Sequence, residues 1–337
     1  MKCVIGVDLG GTNVRAQAVT EDGELVGDRF ENPSNAQSGI EPVVQACALT
    51  IGQVAASCNY EIGAVGMAVP GHIDDKAGLV KWAPNFGQMV DNVFRYWVDV
   101  PLKRPLEERT GLKIVLGNDA NAAALGEYKF GTGKNSAKCL VMLTLGTGIG
   151  GGVVFSPEAM FGNATGPLLM LGGNLGGGEL GHTLLQMNGL DSTGGAYGSL
   201  EAYCQRDAII RRAQHRINRG RKSLINDLVE GDWSKITPKT ISEAAEKGDG
   251  LAIEVWREFG QFLGMASGSL INIFAPDILA IGGQVSNASD WFMPYLIDEA
   301  RNIAAPTIFR DCDIKIAEQV ENAGILGGAA MAIESIR

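Results

Sequence analysis

Asp8 ends the apolar run VIGVD and is followed at once by Leu9-Gly10-Gly11-Thr12-Asn13. A strand that stops in such a turn presents backbone N–H groups with no side chain in the way, so a phosphate can come close. Residues 141–154, VMLTLGTGIGGGVV, repeat the device: a β-branched run, the turn Gly146-Thr147-Gly148, then a second run able to form a strand. One such hairpin is weak evidence, because many hairpins turn on glycine. Two in one chain predict a duplicated fold that grips one polyphosphate from two sides. The chemistry is then nucleotide-dependent phosphoryl transfer. A carboxylate at Asp8 could hold Mg²⁺ beside the phosphates, directly or through water. It could equally satisfy the turn's own N–H groups.

Asn118-Asp119 lies between a strand end and a helix start. Either residue is a natural N-cap. The sharper reading makes Asp119 a general base. A sugar hydroxyl is a poor nucleophile at neutral pH, and a carboxylate within reach accepts its proton as it attacks a γ-phosphoryl group. Asn118 offers both a donor and an acceptor to neighbouring hydroxyls. Glu179-Leu180-Gly181-His182 and Glu201 follow glycine-rich stretches and could supply further acceptors and a mixed donor. Taken singly, such a Glu is a solvated surface residue and such a His a structural one.

The elements that must position these groups can be read from pattern. Strands are predicted near 3–8, 13–19, 24–30, 62–69, 113–117, 139–145, 277–282 and 313–317. Helices are predicted at 42–58, 101–111, 118–128, 199–216, 238–247, 250–274, 290–304 and 322–335, with an irregular glycine-rich region over 156–182. Matching openings and mixed elements predict two α/β lobes with a cleft between them. The expected lobes are 1–118, joined by the final helix 322–337, and 119–321.

Composition narrows the class. The chain has 337 residues, 45% hydrophobic and 20% charged, which describes a water-soluble globular protein of two lobes. Glycine, 46 residues, is about twice its usual share and is clustered in loops. A net charge of −10, with no basic stripe to offset it, argues against a nucleic-acid partner. The six cysteines have no metal-ligand spacing, so reduced thiols in a cytoplasmic protein are expected. The stretch 264–283 contains Pro276 and Asp277 and reads as helix then strand rather than a membrane span.

Seven segments in order resemble the ROK family of repressors, open reading frames and sugar kinases. VDLGGTNVR is similar to its first phosphate motif and LTLGTGIGGG to its second. MAVPGHID with WAPNF, GNDANAAALGE, GGELGH, LAIGGQVS and NAGILGGAAMA complete the match over nearly the whole chain. The resemblance implies an α/β, two-lobed actin/hexokinase/Hsp70-like ATPase fold of duplicated ribonuclease H-like domains. It implies an ATP- and Mg²⁺-dependent hexose kinase, glucokinase-like, acting at the 6-position, in a homodimer or higher homo-oligomer. Asp119 would be the base. Gly71, Asn85, Asn118, Glu179, His182 and Glu201 would meet the sugar. Asp8, Gly10, Gly11, Thr12, Asn13, Gly146, Thr147 and Gly148 would surround the phosphates, and Gly282 and Gly283 the nucleoside.

Two departures matter. Most family members carry Cys-x-Cys-Gly-x-x-Gly-Cys-x-Glu after the histidine, and those thiolates bind zinc with it. Here Ser192, Gly194 and Ser199 occupy the cysteine positions, so no structural zinc is expected. The distal nitrogen of His182 then needs another partner, expected from Asp191, Ser192, Thr193 or the backbone of that loop. Segments 87–99 and 156–175 are also enlarged, near the expected sugar side. The alternatives are kinases for fructose, mannose, allose or an N-acetylated amino sugar, with polyphosphate as a rival donor. A sugar-binding regulator is the different-class reading. The winged helix of such regulators has no room here, because the first phosphate strand begins by residue 4.

Overall fold

The structure is a computed structural model that describes residues 2–134, 137–163, 165–192, 195 and 197–337. Along the chain run β1 (Lys2–Leu9), β2 (Asn13–Thr20), β3 (Leu25–Pro33), α1 (Ile40–Ser57), β4 (Glu61–Val69) and β5 (His72–Asp74). Next come β6 (Leu79–Val90), β7 (Val93–Pro101), α2 (Lys103–Thr110), β8 (Ile114–Asn118) and α3 (Asp119–Phe130). The middle holds β9 (Cys139–Leu145), β10 (Ile149–Phe155), β11 (Leu168–Leu169), α4 (Leu200–Cys204), α5 (Arg206–Asn218) and α6 (Leu224–Leu228). The chain ends with α7 (Pro238–Glu246), α8 (Gly250–Phe274), β12 (Ile278–Gly282), α9 (Ser289–Ile303), α10 (Pro306–Arg310), β13 (Asp313–Ile316) and α11 (Ala323–Ile336).

Contacts divide the chain into two compact units. Unit 1 is Met1–Lys138, Gly152–Gly178 and Glu321–Arg337, and unit 2 is Cys139–Gly151 and Glu179–Val320. Unit 1 is built on a sheet in the order β3-β2-β1-β4-β8. Strands β1, β4 and β8 run parallel, β2 pairs antiparallel with β1, and β3 antiparallel with β2. Ile5, Val7, Leu9, Val65 and Met67 are fully buried in it, each side chain contributing roughly 1.5–3 kcal/mol. Helix α1 covers the sheet with Val43, Val44, Cys47 and Ile51. Helix α11 lies on β1, β4 and α3. Its approach is so close that a Cβ at Gly66 would stand 1.8 Å from the Gly328 carbonyl oxygen. Only glycine fits there, which explains the small residues of the last helix.

Unit 2 repeats the plan. In its sheet β9 lies between β12 and the start of β10, and β13 follows β12. Strands β9, β12 and β13 are parallel. Each sheet therefore centres on a strand that opens a glycine turn, and the two hairpins foreseen as copies of one device hold equivalent places. The long helix α8 buries Trp256, Phe259 and Leu263 against α9, where Phe259 and Phe292 meet edge to face with centroids 5.0 Å apart.

Three differences from the sequence expectation have physical causes. The unit division falls after Lys138, not at 118, because α3 packs on α11 through glycine and alanine. The helix expected over 199–216 is two helices, α4 and α5, broken at an extended, buried Gln205 (ψ 158°). The break frees the amide of Arg206 to reach the Gly146 carbonyl, 3.0 Å away. Residues 87–99, read only as an enlargement, are the outer part of the β6–β7 hairpin. Asp91 and Asn92 turn it with φ of 51° and 60°, the left-handed pair that matches strand twist. Among the described residues no helix is long and apolar enough to cross a membrane.

Candidate active site

In unit 1 the first turn is closed by the Gly10 amide donating to the Asn13 carbonyl at 2.9 Å. Gly11 and Thr12 stand exposed, open to a ligand. The Asn13 side chain is engaged by Glu31. Asp8 faces Arg15 across the β1–β2 ladder. Burial pushes its carboxyl above the ordinary aspartate range, and the charges of Arg15 and Arg29 offset this only in part. The carboxyl rests on the first turn of α11, where a Cβ on Gly324 would lie 2.5 Å from Asp8 Cγ.

The expected sugar residues of unit 1 form a second, connected set. Asn118 caps α3, its Oδ1 accepting from the Asn121 amide at 3.0 Å. Its Nδ2 donates to the Gly71 carbonyl at 3.0 Å. The cap is therefore real, and it also ties the Pro70-Gly71 turn to the start of α3. Gly71 has φ 98°, and a Cβ there would stand 2.0 Å from the Trp82 carbonyl oxygen. Asp119 opens α3 with Oδ1 accepting from the Ala120 amide at 2.8 Å. Asn85 sits in the irregular register of β6 with φ 65°. A methyl added at Gly11 would stand 3.8 Å from Asn85 Cβ, so this residue, expected at the sugar, borders the turn expected to hold phosphate.

In unit 2 Glu201 and Gly181 both meet Ile149. Gly146 donates to the Gly148 carbonyl at 3.0 Å, closing the second turn. Glu201, buried at the start of α4, accepts from the Ile149 amide through Oε2 at 3.0 Å. The Ser199 hydroxyl caps that helix by accepting from Ala202 at 3.4 Å. Gly181 presses on the Ile149 carbonyl, where a Cβ would stand 2.1 Å from the oxygen. Gly283, φ 80°, packs on Leu145 just before the second turn, and Gly282 ends β12 beside Met142 and Ala317.

His182 lies across a short turn from Glu179, Nε2 to Oε2 at 3.9 Å. In the loop expected to replace the zinc ligands, Ser192 Oγ is buried with no hydrogen-bond partner among the described residues, and the Asp191 backbone pairs with Tyr197. Thr193 and Gly194 lie outside the described residues. Of the three positions where the family motif has cysteine, Ser199 caps a helix. Sequence reasoning missed Asn121, a polar residue within an alanine run, and Gly324, which faces Asp8 across the fold.

The family model described as ROK family matches residues 4–335. The glucokinase of Thermotoga maritima is 36% identical over 333 residues, covering 99% of this chain and 98% of that one. The xylose repressor of Caldicellulosiruptor bescii is 27% identical over 340 residues, 99% of this chain and 78% of the repressor. Among solved structures, a ROK family glucokinase from Streptomyces griseus in complex with glucose and AMPPNP superposes with a TM-score of 0.79 at 31% identity. That match covers 98% of this chain and 99% of the other.

Proposed function

The chain belongs to the ROK family, with its actin/hexokinase-like α/β fold, and from that premise we propose an ATP-dependent hexose kinase of glucokinase type. The reaction transfers the γ-phosphoryl group of ATP to the 6-hydroxyl of a hexose. The oxygen–phosphorus bond to ADP breaks as the sugar oxygen–phosphorus bond forms, and the hydroxyl proton passes to Asp119. The residues we assign to the sugar, on the family resemblance, are Gly71, Asn85, Asn118, Glu179, His182 and Glu201. Gly10–Asn13 and Gly146–Gly148 receive the phosphates, and Gly282 and Gly283 the nucleoside.

The observation that carries this reading is the meeting of Asn85 with the Gly11 turn. A residue assigned to the acceptor borders the turn assigned to the donor, as in-line transfer requires. Asp8 suits Mg²⁺: a hard carboxylate oxygen next to a phosphate turn. No group of three or more His, Cys, Asp or Glu among the described residues could form a protein cage. Mg²⁺ bound mainly by nucleotide and water fits that donor set, and Asp8 would hold it. Its contribution is to neutralise charge on the phosphates.

All six cysteines stand as free thiols, which suits the reducing, ATP-rich cytoplasm. A homodimer or higher homo-oligomer completes the proposal. A coupled assay with ATP, and separately with polyphosphate, across glucose, fructose, mannose, allose and N-acetylated amino sugars tests it. Turnover of a hexose with ATP supports the kinase. Sugar binding without turnover would favour a regulator, the reading that the repressor match suggests.

A further inference from the structure

Asn121 is almost fully buried, 4% exposed, inside a helix otherwise rich in alanine. Its two hydrogen-bonding ends point to different tasks. The backbone amide donates to Asn118 Oδ1 at 3.0 Å and so orients the Asn118 side chain. The side-chain Nδ2 donates to the Gly177 carbonyl at 3.3 Å, across 56 positions of sequence. The remaining atom, Oδ1, is buried with no hydrogen-bond partner among the described residues. An unpaired buried amide oxygen is costly, and an apolar side chain of the same volume would pack there without that cost. Packing alone does not account for an amide at this place. Its N–H₂ end, aimed at Gly177, does.

Gly177 closes a small ring of backbone. Its amide donates to the Leu171 carbonyl at 2.9 Å, and Gly176 donates to Asn174 Oδ1 at 3.2 Å. A Cβ at Gly177 would stand 2.8 Å from the Leu171 carbonyl carbon and 2.9 Å from the Gly172 nitrogen, so the ring has no room for a side chain. The ring also lies along the residue after Gly71: a Cβ at Gly176 would be 3.6 Å from His72 Cε1 and Nε2. Loop Leu171–Gly177 therefore touches both sugar-side segments of unit 1, the Gly71-His72 turn and the start of α3.

We propose that Asn121 is a specificity-determining positioning residue, which fixes loop Leu171–Gly177 as the backbone wall that selects among hexoses. The inference rests on the assignment of Gly71 and Asn118 to the sugar. Glycines at 172, 173, 176 and 177 leave N–H and C=O groups of this loop unshielded by side chains. Hexose epimers differ in the direction of one hydroxyl, and only hydrogen-bonding groups held in fixed places read that difference. A loop anchored to the helix that carries Asn118 is held in this way.

The test measures affinities of glucose, mannose, allose and fructose by calorimetry, with an ATP analogue as control, for wild type, Asn121→Asp, Asn121→Ala and Gly177→Ala. Asn121→Asp keeps the shape and loses the donor. Gly177→Ala opens the ring from outside the helix and serves if the buried substitutions fail to fold. We expect the affinity ratio between the preferred hexose and the next to shrink by roughly tenfold, with nucleotide affinity unchanged. Folded variants that keep the wild-type ratios would overturn the inference. So would an equal loss for every sugar and for the nucleotide, which is the signature of a merely structural role. Selectivity in binding does not depend on the base, so Asp119→Asn should keep the wild-type ratios, and its turnover tests the kinase reading separately.

Discussion

Glu201 Oε2 accepts the amide hydrogen of Ile149 at 3.0 Å, and the same oxygen would stand 2.6 Å from a Cβ on Gly148. A carboxylate expected to meet the sugar thus also secures the second glycine turn. The geometry makes a distinctive prediction. Glu201→Ala should strand a buried N–H group at a cost of about 1–3 kcal/mol and raise KM for both hexose and ATP. Glu201→Gln retains an acceptor and should lose less of each. Urea denaturation and steady-state kinetics check the pair; a variant that raises only the hexose KM would restrict Glu201 to sugar contact.

Asp119→Asn should fold normally, bind hexose as the wild type does, and turn over about 10²–10⁴-fold more slowly, the range for a positioned general base. Calorimetry and a coupled assay separate the two effects. Wild-type kcat on the best substrate would remove Asp119 from the role of base.

Asp8 offers a test through stability. Its folded pKa is raised above the ordinary 3.8, burial being the first cause. The folded state therefore holds this proton to higher pH than the unfolded chain does. Stability from this group is present at low pH and declines as pH rises from the unfolded value through the raised folded one. Asp8→Asn, measured without Mg²⁺ and nucleotide, should raise Tm at pH 7 and lose that advantage as pH falls toward 4. The same variant should bind MgATP poorly. An Asn variant less stable than wild type at pH 7 would show that the buried charge is well compensated.

Gly324→Ala should disturb the same carboxylate from behind, because the added Cβ would overlap Asp8 Cγ at 2.5 Å. The expected result is a raised KM for MgATP with hexose affinity retained. An unchanged KM for MgATP would mean that Asp8 can shift at no functional cost.

Elemental analysis of the purified protein should find no stoichiometric zinc, since Ser192, Gly194 and Ser199 carry no thiolates. The nearest cysteine in sequence, Cys204, is fully buried, and burial pushes its thiol to about 12. One zinc per chain would point to ligands of another kind.

Local chemistry was legible in the residues. Both glycine turns, the strands that feed them, the Asn118 cap and the motif order could all be read, because backbone sterics and short-range periodicity act within a few positions. The break at Gln205 could not, since its reason is the Gly146 carbonyl, far back in the chain. Nor could the β6–β7 hairpin be read from alternation: its register shifts between Ala83 and Gly87, which interrupts the period of two. The assignment of α3 to unit 1 depends on α11, some two hundred residues later, approaching through glycine.

By itself, then, the sequence determined which residue types stand at strand ends and helix starts, and through them the reaction class. Tertiary structure alone decided which of these groups share a contact: Asn121 with Gly177, Glu201 with Ile149, Asp8 with Gly324, Asn85 with Gly11. Each pair is remote in sequence, and its meeting is set by how sheets and helices pack, where a single missing Cβ admits or excludes a neighbour.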